Sequence, residues 1–76
     1  MKKLHGFEIE LGDLWKYESK DLNNQKTGIF LIISLNNERE DSGVLGYNLR
    51  TNTKHNYHFL ATKEQYVLVS RSTNKD

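Results

Sequence analysis

The stretch Gly28-Ile-Phe-Leu-Ile-Ile-Ser-Leu35 is the longest apolar run in a chain of 76 residues whose mean hydropathy is −0.78. Its length and content limit what it can be. Ile29, Phe30, Ile32 and Ile33 are β-branched or aromatic, Thr27-Gly28 and Asn36-Asn37 bracket the run, and helices are usually longer. A helical bilayer crossing would take about 20 apolar residues. The run reads as a strand that is apolar on both faces.

Other segments alternate polar and apolar residues with a period of two: residues 7–11, 13–17, 44–49 and 55–60; residues 66–70 are more continuously apolar. No segment repeats at the helical period, and the single helical candidate is one short 3₁₀ or α turn at Ala61-Thr-Lys-Glu-Gln65. The chain is expected to be all-β: one domain over residues 1–76, with five to six short antiparallel strands.

Registers follow from keeping apolar rows together. Leu45, Tyr47 and Leu49 are expected opposite Ala61, Phe59 and Tyr57, around a loop Asn52-Thr53-Lys54. Upstream, Ile33, Leu31 and Ile29 are expected opposite Leu45, Tyr47 and Leu49, with that row facing the core. Phe30 and Ile32 then fall on the other face, opposite Asn48 and Gly46. Two readings account for them. The N-terminal strand folds over them through Phe7 and Ile9, or they form an exposed patch for a partner or a second copy.

Stability must come from a small core, because the sequence contains no cysteine and so no disulfide or thiolate metal site. Formal net charge is +1 and the isoelectric point is near 8.0. Dedicated nucleic-acid modules carry a stronger basic bias. The start Met1-Lys-Lys-Leu-His-Gly is charged like a signal peptide, but Glu8 and Glu10 interrupt any apolar continuation, so a soluble, cytoplasmic protein is expected. Absence of proline and abundance of Asn, Lys and Ile suggest an AT-rich coding genome, such as that of a low-GC bacterium or a phage.

Gly12-Asp13-Leu14-Trp15, a polar loop, and Gly28 leading into Leu31-Ile-Ile-Ser34 together resemble the opening of small SH3-like β-barrels, including KOW and Tudor modules and the MazF-like toxin endoribonucleases. The resemblance implies a small barrel with a tight turn before its last strand, and aromatics near the first loop as contact residues. For the toxins it also implies RNA cleavage assisted by an arginine just after the glycine. Here that place holds Ile29-Phe30, while Ser34 matches the serine that often ends the family's second strand.

Candidate sites rank accordingly. His55 and His58 are spaced to point to opposite sides of a strand, with no third ligand at suitable spacing. Glu8 and Glu10 are the polar half of an alternating strand. No cofactor and no metal is expected. The leading expectation is a non-enzymatic binding module acting on a protein partner, its own second copy included, through Phe30, Ile32 and the charged segment Glu38, Arg39, Glu40 and Asp41. An accessory protein of a phage or mobile element that binds a host factor would fit. The alternative is a nucleic-acid-binding barrel that stacks bases on Trp15 and Tyr57 and holds phosphates with Lys16, Arg50, Lys54 and Arg71. A MazF-like endoribonuclease is the second alternative.

Overall fold

A computed structural model describes residues 1–21, 23–36, 43–60 and 65–71. Over these the chain is all-β, with seven strands and no helix: β1 (Lys2–Leu4), β2 (Phe7–Ile9), β3 (Leu14–Glu18), β4 (Gly28–Ser34), β5 (Val44–Asn48), β6 (Thr53–Tyr57) and β7 (Gln65–Ser70). β1 and β2 form a hairpin, and the others form an antiparallel sheet in the order β6-β5-β4-β3-β7. The described sheet does not close into a barrel, since β6 and β7 are its two free edges. The expected helical turn at 61–65 falls on residues 61–64, outside the described residues, and Gln65 already belongs to β7.

β1 is absent from the period-two pattern because it is short and charged. Its turn explains it. His5 and Gly6 have φ of 50° and 89°, and Leu4 pairs with Phe7, as in a two-residue type I′ hairpin. At the next corner the Asp13 amide donates to the Glu10 carbonyl at 3.1 Å, with Gly12 at φ 88° in the turn's third position, where type II geometry favours glycine.

β4 and β5 pair as expected at Leu31 opposite Tyr47, Phe30 opposite Asn48 and Ile32 opposite Gly46, but the register then shifts, so Leu45 lies opposite Ser34 and not Ile33. The buried face is the reverse of the one expected. Phe30 and Ile32 are 0% and 1% exposed, whereas Ile29 and Ile33 are 37% and 36% exposed. The outer-patch expectation for Phe30 and Ile32 is therefore corrected: both are core. Their face is covered in the manner of the fold-over reading, since Ile9 is fully buried in the same cluster and Phe7 packs against it.

Gly46 shows why this face turned inward. The Phe30 and Tyr57 rings stack at 3.7 Å between centroids and 2° between planes. A Cβ on Gly46 would lie 2.7 Å from Phe30 and 2.8 Å from Tyr57. Rings from neighbouring strands fill the space that a β5 side chain would need, so β5 turns its glycine inward and its large residues, Leu45 and Tyr47, outward. Phe59 joins the cluster beyond β6, edge-on to Trp15 at 5.0 Å and stacked on Tyr66 at 4.2 Å.

The β5–β6 register also departs from expectation. Val44 pairs with Tyr57, Gly46 with His55 and Asn48 with Thr53, leaving Leu49–Asn52 as a four-residue loop. Asn48 selects this geometry. Its fully buried side chain accepts the amides of Arg50 at 2.8 Å and Thr51 at 3.0 Å. Its Nδ2 donates to the carbonyls of Lys26 at 3.1 Å and Thr27 at 3.2 Å. Asn52 completes the loop in the left-handed region, at φ 58°. Matching apolar rows takes no account of such a side chain, which bonds four backbone groups from a buried position.

Asp13, just before β3, performs the same service. It is completely buried and accepts from the Glu10 amide at 2.9 Å, the Trp15 indole at 3.1 Å and the Arg71 guanidinium at 3.1 and 3.3 Å. Arg71 also donates to the Glu8 carbonyl, which ties the end of β7 to the hairpin. Lys2 donates from β1 to the carbonyls of Leu35 and Gly43, at 3.1 and 3.0 Å, beside the end of β4 and the start of β5.

Candidate binding face of the sheet

With Trp15, Tyr17, Phe30, Ile32, Val44 and Tyr57 committed to the core, the alternation of the strands sends the intervening residues to the opposite face. A straight cross-strand row there runs Leu14, Leu31, Tyr47, Lys54. A second runs Val67, Lys16, Ile29, and Leu49 extends it by donating its amide to the Ile29 carbonyl at 2.9 Å. Ile33 is the extra residue where the β4–β5 register shifts, and Leu45 faces Ser34 beside it.

Leu14, Leu31, Leu45 and Tyr47 are half-buried by one another, whereas Leu49 and Val67 are 48% and 49% exposed. Charge enters this apolar field at Lys16, which lies between Val67 and Ile29 and pairs with Glu18 at 3.2 Å, and at its margin in Lys54 on the β6 edge. An apolar centre with a charged rim has the composition of a protein-binding surface. Matching apolar rows places Ile29, Leu31, Ile33, Leu45, Tyr47 and Leu49 in the core, and the structure corrects this by turning the row outward. The signal that distinguishes the faces is the alternate row, Val44, Gly46 and Asn48, whose small and polar members make room for the rings of neighbouring strands.

The other anticipated site residues disperse. Glu38, Arg39, Glu40 and Asp41 lie outside the described residues. Trp15 and Tyr57 are 4% and 0% exposed, which corrects their assignment as stacking platforms. The Trp15 indole is engaged by Asp13, while the Tyr57 hydroxyl accepts from Asn48 at 3.3 Å and donates toward the Lys26 carbonyl. Arg71 is bound to Asp13. Arg50 donates to the carbonyls of Thr27 at 2.8 Å and Asn24 at 2.9 Å, beyond the opposite end of β3. Lys16 and Lys54 both sit on the outer face, separated by the β4 and β5 rows. The four cations do not converge.

The histidines bond locally: His55 Nε2 meets the Thr53 hydroxyl at 2.7 Å and His58 Nε2 meets the Asn56 amide at 3.0 Å. Burial and the Lys26 charge hold the His55 imidazole below its ordinary pKa of 6.5, and burial pushes the Tyr57 phenol above its ordinary 10.0. Among the described residues, no three His, Asp or Glu side chains are grouped to hold a metal. A shallow, open pocket lies against Glu18, Ser19, Lys20 and Gln65, with one carboxylate and one amine but no nucleophile–base pair. No described helix is long and apolar enough to cross a membrane.

No protein-family model matches the chain, and no curated protein or solved structure matches it either.

Proposed function

We propose that the protein is a non-enzymatic binding module that receives a protein partner on the outer face of its sheet. The observation that carries this reading is the apolar field from Ile29 to Leu49, whose Ile29, Ile33 and Leu49 are exposed while the buried cluster on the opposite face does not include them. The Glu38–Asp41 segment joins the two strands that bear most of this field, so its charges belong to the same proposal. Within it, a phage or mobile-element accessory protein that grips a host factor accords with the small chain and AT-rich residue usage. An SH3-like barrel is the architecture we favour: the last strand returns to pair with the first strand of the meander, and Phe59, just past one sheet edge, stacks on Tyr66 of the other.

The test is a pull-down from host lysate, with and without nuclease, comparing the native chain with the double variant Ile29→Asp/Leu49→Asp. A protein captured by the native chain regardless of nuclease, and lost by a variant of unchanged circular dichroism, supports the reading. Capture that survives both substitutions overturns it, as does capture that disappears with nuclease.

A further inference from the structure

β7 is held at two points, with a break in its pairing between them. The first point is Tyr66, the one residue of the strand that is not exposed. Its ring stacks on Phe59 at 4.2 Å and on Tyr17 at 5.0 Å. The register with β3 then shifts: Trp15 pairs with Leu68 and Leu14 with Ser70, so Val69 is an extra residue that interrupts the ladder. Leu68 and Val69 are 40% and 49% exposed, so apolar burial does little to hold the strand there. The second point is Arg71, which fastens the end.

Arg71 meets Asp13 through two bonds of one planar fork, Nε to Oδ1 at 3.3 Å and Nη2 to Oδ2 at 3.1 Å, and Nη2 also donates to the Glu8 carbonyl at 2.6 Å. A guanidinium supplies that fork and an ammonium does not. The acceptors are held in place without Arg71. The Asp13 amide donates to the Glu10 carbonyl at 3.1 Å, and its carbonyl accepts the Ile32 amide at 2.9 Å. Its Oδ2 accepts the Glu10 amide and the Trp15 indole. The corner between β2 and β3 therefore presents a fixed, fully buried carboxylate, and a buried charge without a counter-charge is costly.

We propose that Asp13 and the Glu8 carbonyl form a guanidinium-binding site that Arg71 fills as a tethered, releasable ligand, and that the end of β7 beyond the bulge swings away when Arg71 leaves. The ligand class is an alkylguanidinium, which in a protein partner is an arginine side chain. Tethering gives Arg71 a high effective concentration, so the site stays filled from within until the end of β7 is drawn off. The Arg71 side chain is 30% exposed, which gives it a path to solvent. Trp15 is the sole tryptophan of the sequence, and its indole is bonded to the same carboxylate, so its fluorescence reports occupancy. This site stands independently of what the outer face binds.

The experiment compares the native chain with Arg71→Ala, using ethylguanidinium as the probe and ethylammonium as the control, read by Trp15 fluorescence, thermal melting and hydrogen exchange. In Arg71→Ala, protected amides of residues 68–70 should accelerate about tenfold more than those of Tyr66 and Val67, because local opening is confined to the far side of the bulge. Ethylguanidinium should change the fluorescence of this variant saturably and raise its melting temperature, while ethylammonium does neither. Residues 68–70 should stay fast in its presence, since a free ligand does not carry the strand. The native chain, with its site already filled, should not respond at the same concentration. If Arg71→Ala is unfolded by itself, refolding by ethylguanidinium and not by ethylammonium reads the same site. Equal rescue by both cations, no response of the variant, exchange that accelerates equally on both sides of Val69, or a native chain that responds as the variant does would each overturn the proposal.

Discussion

At the scale of single residues, Gly46, Asn48 and Asp13 do more to specify the structure than the larger side chains around them. Asn48, at the end of β5, and Asp13, just before β3, each satisfy several backbone or side-chain groups from full burial. Gly46 acts by absence. Its missing Cβ would approach within 2.7 Å of the Phe30 ring and 2.8 Å of the Tyr57 ring, and the two rings are stacked on each other. Gly46→Ala should therefore destabilise the fold by about 1–3 kcal/mol, the usual cost of overpacking, despite the better strand propensity of alanine. Urea denaturation reads this as a lower midpoint with unchanged slope. A more stable variant would show that the rings separate freely.

At the scale of elements, β4 has two apolar faces with different duties. Loss of Phe30 to alanine would remove about 3–5 kcal/mol, against a total stability of only about 5–15 kcal/mol for a typical domain. Phe30→Asp adds a buried, unpaired charge and should leave the chain unfolded by circular dichroism, while Ile29→Asp, on the exposed face, should fold normally. A folded Phe30→Asp protein would place the core on the wrong side of the sheet. Strand positions were legible because a period of two needs only sequence, and the β4–β5 register was legible from Phe30 to Ile32 by matching rows, but not at Ile33, where the register shifts and Leu45 meets Ser34. The orientation of the sheet was not, because both rows of β4 are apolar and β5 carries its bulk on the exposed side. β1 was hidden for a different reason: three residues held by a type I′ turn leave no periodic signature.

At the scale of the whole molecule, two titrating groups with shifted pKa values, His55 and Tyr57, contribute pH dependence to stability. The folded-state pKa of His55 is lowered below 6.5, so the unfolded chain takes up protons first as pH falls, and the stability His55 contributes is complete above about pH 6.5 and declines below it. The Tyr57 phenol is raised above 10.0, so the unfolded chain loses its proton first, and stability declines as pH rises past about 10. Thermal melts across pH should show both limbs, with the acid limb flattened by His55→Gln and the alkaline limb by Tyr57→Phe. Unchanged limbs in both variants would exclude these groups as their origin. The sequence alone determined that the chain is all-β, that its core must be small and unstapled, and which strands pair across β4 and β5, since period and composition are local properties. Tertiary structure decided which face is buried, how β5 meets β6 and which aromatics lie inside. Those choices depend on where rings from separate strands find space, and on which buried polar group can satisfy a loop distant in sequence, so no local pattern encodes them.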